Sequence, residues 1–216
     1  MQLEAVVFDW DLTLWNSWDV HLDLMERTAD ALGYPRPATA DLGKEYSRPF
    51  FEHLTWFFPG DQEQVLDTYM GFYHADVWRE PRLYSGIPEL LKQLKDKGYR
   101  TAILSDKREA FGVAELASSK LGDSVDRALF FTDGMDPKPD PSGLQDMMGF
   151  LEVAPSETLF VGDSHRDIEC AKRAGAWSGA ALWASVEPDL VLALKPDLKW
   201  ETVDDVGVTL DLGRTG

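Results

Sequence analysis

What most constrains the fold of this chain is a repeated order: a short apolar run, then a loop, then a stretch of helical periodicity. The runs are Ala5-Val6-Val7-Phe8, Thr101-Ala102-Ile103-Leu104, Ala128-Leu129-Phe130-Phe131, Thr158-Leu159-Phe160-Val161 and Ala180-Ala181-Leu182. They are rich in apolar, β-branched or aromatic residues and do not alternate with polar ones. That is the pattern of strands buried on both faces of a parallel sheet. Between them, Ile87, Leu90, Leu91 and Leu94 recur at helical spacing from Ile87 to Lys97, and Gly98 supplies a stop. A second helical stretch, Arg166 to Ala174, ends at Gly175 in the same way. Strand alternating with helix predicts an α/β fold: a doubly wound, mostly parallel sheet with right-handed crossovers.

One interval breaks the rhythm. Roughly 90 residues separate the first run from the second, far more than a single crossover requires. The span reads as helices over Trp18 to Leu32, Arg48 to Phe58 and Gln62 to Trp78, punctuated by Pro35, Pro37, Pro59-Gly60 and Pro81. The expected organisation is therefore an α/β core of residues 1–16 and 83–216, with an all-helical domain of residues 17–82 inserted after the first strand and lying over the sheet. Phe50, Phe51, Trp56, Phe57, Phe58, Tyr69, Phe72 and Tyr73 are expected to form that insertion's own small core.

A formal net charge of −17 argues against DNA or RNA as a partner, since polyanion binding draws its non-specific affinity from Lys and Arg. A small phosphorylated molecule remains compatible, because a metal and two or three cations can make a local positive well. No stretch approaches the roughly 20 apolar residues that span a bilayer, and Met1-Gln2-Leu3-Glu4 lacks the features of a secretion signal. The lone Cys170 excludes an internal disulfide. Together these features predict a cytoplasmic protein with no membrane partner.

Ligands of open α/β sheets bind at the carboxyl ends of the strands. The polar residues there are Asp9 and Asp11 after the first run, Ser105 after the second, Asp133 through Lys138 after the third and Asp163 after the fourth. Three or four carboxylates, a hydroxyl and an ammonium would converge on one crevice. Carboxylates that close repel unless a cation lies among them, and oxygen ligands suit Mg²⁺.

These residues also stand in a recognisable order. Asp9-Trp10-Asp11-Leu12-Thr13 resembles the DxDxT signature of the haloacid dehalogenase superfamily. Ser105 stands where that family has its second-motif Ser or Thr, and Lys138 in Pro137-Lys138-Pro139-Asp140-Pro141 resembles the third-motif lysine. Gly162-Asp163-Ser164-His165-Arg166-Asp167 resembles the GDSxxD fourth motif. The insertion is similar to the helical cap of the phosphoglycolate phosphatase-like and β-phosphoglucomutase-like branch. Leu12 departs from the pattern, because the family usually has Gly there.

The resemblance implies hydrolysis of a small phosphate monoester with Mg²⁺. Asp9 is the implied nucleophile, passing through an aspartyl-phosphate, and Asp11 the acid that protonates the leaving oxygen and then the base that activates water. Asp9, the Asp11 backbone carbonyl and Asp163 are the implied metal ligands. Ser105 and Lys138 would stabilise the transferring phosphoryl group, and Asp167 would orient Lys138 or a bound water. Lys107 and Arg108 could contact phosphate, and Lys44 and Arg48 in the insertion are candidate specificity residues. His21, His53, His74 and His165 show no metal-ligand spacing, and Cys170 reads as a small buried residue. Alternatives left open are a phosphomutase acting on a sugar phosphate, a phosphonate-cleaving enzyme using Lys44, and a non-catalytic binding module. A dehalogenase fits poorly because Asp11 is present.

Overall fold

All five apolar runs lie in or overlap strands in the computed structural model, which describes residues 2–46, 48, 50–76 and 82–212. The strands are β1 (Ala5–Phe8), β2 (Arg100–Arg108), β3 (Arg127–Phe131), β4 (Thr158–Gly162) and β5 (Trp177–Ala181), with a further strand β6 (Leu198–Trp200). They form one parallel sheet in the order β3-β2-β1-β4-β5-β6. The order reverses between β1 and β4, the switch point at which a doubly wound sheet opens a crevice beyond its strand ends.

The helices are α1 (Ser17–Leu32), α2 (Thr39–Glu45), α3 (Phe50–Phe57), α4 (Gln62–Asp76), α5 (Ile87–Asp96), α6 (Glu109–Ser119), α7 (Ser142–Leu151), α8 (His165–Ala174), α9 (Pro188–Ala193) and α10 (Val203–Thr209). Because strand side chains alternate between faces, β1 contributes to two separate cores. Val6 and Phe8 pack with Ile87, Leu90, Leu91 and Leu94 of α5 and with Val203 and Val206 of α10. Ala5 and Val7 pack with Leu144, Met147 and Met148 of α7 and with Cys170 and Ala171 of α8. Covering both faces is what permits β1 to be apolar at every position.

The chain divides into two compact units, Met1–Asn16 with Pro81–Gly216, and Ser17–Glu80. In the second unit α1 packs on α4 and α3 on α4. Leu24, Met25, Leu42, Leu54, Phe58, Tyr69 and Tyr73 are buried there, whereas Phe50, Phe51 and Trp56 are 43–58% exposed and are not core residues. Helix α2 was not expected; it is short and buries only Leu42. The expected helix end at Trp78 lies outside the described residues.

Two expectations about the strand ends need correction. Strand β2 runs on to Arg108, with an irregularity between Ser105 and Arg108, so Ser105 lies within the strand. Asp133 does not join a crevice: its side chain is 93% exposed and pairs with Arg108 at 2.6 Å. Among the described residues, no helix is long and apolar enough to cross a membrane.

Candidate active site

Register places the polar strand ends side by side. Phe8 pairs with Ile103 on one side and Val161 on the other, and the Asp9 N–H donates to the Val161 carbonyl at 2.8 Å. Asp9 and Asp163 therefore leave adjacent strands at the switch point, with Ser105 on the neighbouring strand.

Lys138, in the loop between β3 and α7, joins this group. Its Nζ donates to Asp9 Oδ1 and to Asp167 Oδ1, each at 2.7 Å, and all three residues are buried. Carboxylate oxygens of Asp9, Asp163 and Asp167 lie within 4.8 Å of one another. Asp167, in the first turn of α8, also accepts the Ser164 N–H at 3.0 Å and the Ser164 hydroxyl at 2.7 Å through Oδ2. Both of its oxygens are thus occupied by protein donors. Gly162 makes room for this arrangement, since a Cβ there would fall 2.3 Å from Asp167 Cγ.

Three buried carboxylates share one ammonium, and the electrostatics follow. Burial, reinforced by the negative charges of Asp167 and Asp11, pushes Asp9 up to about 7 despite Lys138. Burial and the charges of Asp167 and Asp9 likewise raise Asp163 well above the usual carboxylate range. Burial opposes the charged form of Lys138, but Asp167, Asp9 and Asp106 outweigh it and hold the ammonium's pKa well above its ordinary value. Each carboxylate has less than a full counter-charge, so a divalent cation would complete the site. The donor set is all oxygen, which fits Mg²⁺.

The loop after β1 holds Asp11 beside this cluster. The Leu12 N–H donates to the Trp15 carbonyl, and the Leu14 and Trp15 N–H groups return to the Trp10 carbonyl. Leu12 takes φ 57°, the left-handed region, which accounts for glycine being the family's usual residue. Its side chain is buried. Trp10 stacks on Trp15 with centroids 5.4 Å apart, and its indole N–H donates to Glu115 Oε2 at 2.6 Å. Lys107 Nζ lies between Asp11 Oδ1, at 2.8 Å, and Glu115 Oε2, at 3.0 Å. The Ser105 hydroxyl is buried and accepts the Lys107 N–H at 3.3 Å. Thr13 donates to Asp163 Oδ1 at 3.3 Å.

A model of the haloacid dehalogenase-like hydrolase family matches residues 6–181. The chain is a haloacid dehalogenase-like hydrolase. It is 25% identical over 207 residues to the pyrophosphatase PpaX of Anoxybacillus flavithermus, covering 95% of this chain and 96% of that one. A predicted phosphoglycolate phosphatase from Haemophilus somnus superposes with a TM-score of 0.80 at 21% identity, over 97% of this chain and 99% of that one. A haloacid dehalogenase-like family hydrolase from Streptococcus pneumoniae does so with a TM-score of 0.82 at 19% identity, over 96% and 98%. These two likenesses show the fold of the hydrolase.

Other sequence candidates of the hydrolase make the following contacts. Arg48 and Lys44 belong to the helical unit, where Arg48 pairs with Glu45 and covers the Trp56 ring, and Lys44 pairs with Asp41. His165 Nδ1 pairs with Glu187 at 2.5 Å. Burial raises the thiol of Cys170 to about 12, and its Sγ lies 3.4 Å from the Asp140 carbonyl, as for an unreactive core residue. Glu115 and Asp106 were missed. Nothing in the sequence marks Glu115, one glutamate in a helix; Asp106 is marked only by its place beside Ser105.

Proposed function

We propose that this hydrolase is a Mg²⁺-dependent phosphatase that cleaves a small phosphate monoester through an aspartyl-phosphate on Asp9. The observation that carries the reading is the clustering of Asp9, Asp163 and Asp167 at the sheet's switch point, with Lys138 paired to Asp9 and Asp167. The names of the similar proteins, a pyrophosphatase and a predicted phosphoglycolate phosphatase, support a small phosphorylated substrate.

Asp9, the Asp11 backbone carbonyl and Asp163 would hold the metal. Asp167 is left to orient Lys138, because its oxygens are taken up by Lys138 and Ser164. Bound Mg²⁺ would neutralise charge on the phosphoryl oxygens and keep Asp9 ionised.

In the first step a carboxylate oxygen of Asp9 attacks phosphorus, and the bond from phosphorus to the leaving oxygen breaks. Asp11 delivers a proton to that oxygen. In the second step Asp11 takes a proton from water, whose oxygen attacks the acyl phosphate. Inorganic phosphate leaves and the Asp9 carboxylate is restored. Lys138 and the Ser105 hydroxyl offset charge on the transferring group throughout, already oriented before the reaction begins. Lys107, beside Asp11, and Arg48 are the residues proposed to meet the rest of an anionic substrate.

The test is phosphate release from phosphoglycolate, sugar phosphates, nucleotides and pyrophosphate, each with Mg²⁺ and with excess chelator. Metal-dependent release that Asp9→Asn abolishes is the expected result. Release that continues in Asp9→Asn above a few per cent would remove Asp9 as nucleophile. Silence across the panel from a folded protein would remove the phosphatase reading and point to a mutase or a binding module.

A further inference from the structure

Lys138 lies in a stretch with no regular structure, residues 132–141, whose neighbouring residues 133, 134, 136 and 137 are exposed. Its side chain is a flexible four-carbon stem that loses rotamer freedom when fixed. Side-chain contacts, not strand pairing, must therefore hold the backbone from which this stem departs.

The structure provides it as a closed ring of contacts. Asp106, the residue after Ser105 in β2, accepts the Lys138 N–H through Oδ1 at 3.0 Å. Its other oxygen, Oδ2, pairs with Arg166 Nη2 at 2.9 Å. Arg166, second residue of α8, donates Nε to the Lys138 carbonyl at 2.6 Å, and its Nη2 reaches the same oxygen. Both peptide groups flanking the Lys138 Cα are therefore engaged, one by β2 and one by α8, and the two clamping side chains are paired with each other. Asp106 and Arg166 are paired with each other, and Asp106 also adds to the negative charge that favours the Lys138 ammonium.

We propose that Asp106 and Arg166 form a positioning clamp that fixes the Lys138 backbone and so aims its ammonium between Asp9 and Asp167. The consequence for turnover rests on the phosphatase reading above; the clamp itself does not. Neither residue belongs to the carboxylate cluster, and neither is a catalytic residue. The planar fork of Arg166 is needed, because one nitrogen faces Lys138 while another reaches both Lys138 and Asp106. Lysine at 166 could not span both.

The experiment compares Arg166→Ala, Arg166→Lys, Asp106→Asn and the Arg166→Ala/Asp106→Asn double variant with the wild type. p-Nitrophenyl phosphate with Mg²⁺ is the kinetic probe. Displacement of a transition-state cation by about 1 Å costs on the order of 100-fold. Expected are a 10–100-fold fall in kcat for Arg166→Ala with KM within about threefold, and no recovery in Arg166→Lys. A smaller loss is expected in Asp106→Asn, whose amide oxygen can still accept the Lys138 N–H. The double variant should be no worse than Arg166→Ala, because the ring is already open.

A second readout needs no activity: acetylation of Lys138 by a water-soluble amine reagent, followed by peptide mass spectrometry. Lys138 should be protected in the wild type and labelled several-fold faster in Arg166→Ala, with the labelling of other lysines unchanged. Unchanged labelling of Lys138 in both Arg166→Ala and Asp106→Asn, or unchanged kcat in Arg166→Ala of an active wild type, overturns the clamp. If the wild type hydrolyses nothing, the phosphatase reading fails and the labelling alone decides the clamp.

Discussion

The helical unit contains a buried pair of imidazoles whose protons the geometry assigns. His53 Nδ1 lies 2.8 Å from the Glu45 carbonyl, which can only accept, so His53 donates there and its Nε2 must accept. His21 Nε2, 2.9 Å away, is then the donor, and His21 Nδ1 accepts from the Tyr69 hydroxyl at 2.9 Å. A proton added to His53 Nε2 would set two N–H groups against each other, and one added to His21 Nδ1 would place a charge in a buried site beside His53. Burial and the neighbouring His53 accordingly push His21 down to about 3. Burial also lowers His53, with Arg48 acting in the same direction and the Glu45 carbonyl and carboxylate against it. With the folded value below the unfolded one near 6.5, the unfolded chain takes up the proton first as pH falls. The stabilisation is complete above about pH 6.5 and is lost on acidification toward pH 3. At pH 5 the unfolded His21 is about one and a half pH units past its midpoint while the folded one is still neutral. At roughly 1.4 kcal/mol per unit, this residue costs the fold about 2 kcal/mol between pH 7.5 and pH 5. In metal-free protein Asp9 acts with the opposite sign: raised to about 7, it adds stability as pH falls through that value. The informative quantity is therefore the difference between wild type and His21→Gln, whose amide can still bridge Tyr69 and His53 without titrating. Urea unfolding followed by circular dichroism should show that difference changing by about 2 kcal/mol between the two pH values. Amide hydrogen exchange in α1 and α3 reports the same loss locally. A difference that changes by less than about 0.5 kcal/mol would refute the proton assignment.

Three further outcomes are expected. Leu12 has positive φ and is buried, so Leu12→Ala should lose burial and keep the backbone strain, whereas Leu12→Gly loses both; thermal melts should rank Gly above Ala by about 1 kcal/mol, the reverse of the usual order. Gly162→Ala drives a methyl into Asp167, which Lys138 and Ser164 hold in place, and should cost about 1–3 kcal/mol in urea unfolding and lower kcat at least 10-fold. Mg²⁺ at about 100 times its Kd should stabilise metal-free protein by about 2.7 kcal/mol at pH 7.5, with the effect largely lost in Asp163→Asn, as read by thermal shift.

The α/β class, five of the six described strands and the carboxylates at the switch point were legible in the sequence, because each rests on neighbouring residues: apolar runs, helical spacing, and polar residues where a run ends. Strand β6 was not legible; it has three residues, Lys199 among them exposed, and exists because it pairs with β5. Nor was the continuation of β2 past Ser105, which depends on β3 lying alongside. The same division runs through the site. Asp9, Asp11, Lys138, Asp163 and Asp167 stand in ordered motifs. The Asp106–Arg166 ring, the hold of Glu115 on Trp10 across 105 residues, and the His21–His53 pair do not. Local sequence carries backbone periodicity and the identity of strand-end groups. Which distant side chains meet, and so which charges are shared and which protons are forced, is decided when packing excludes water and leaves each buried polar atom to find its partner within the fold.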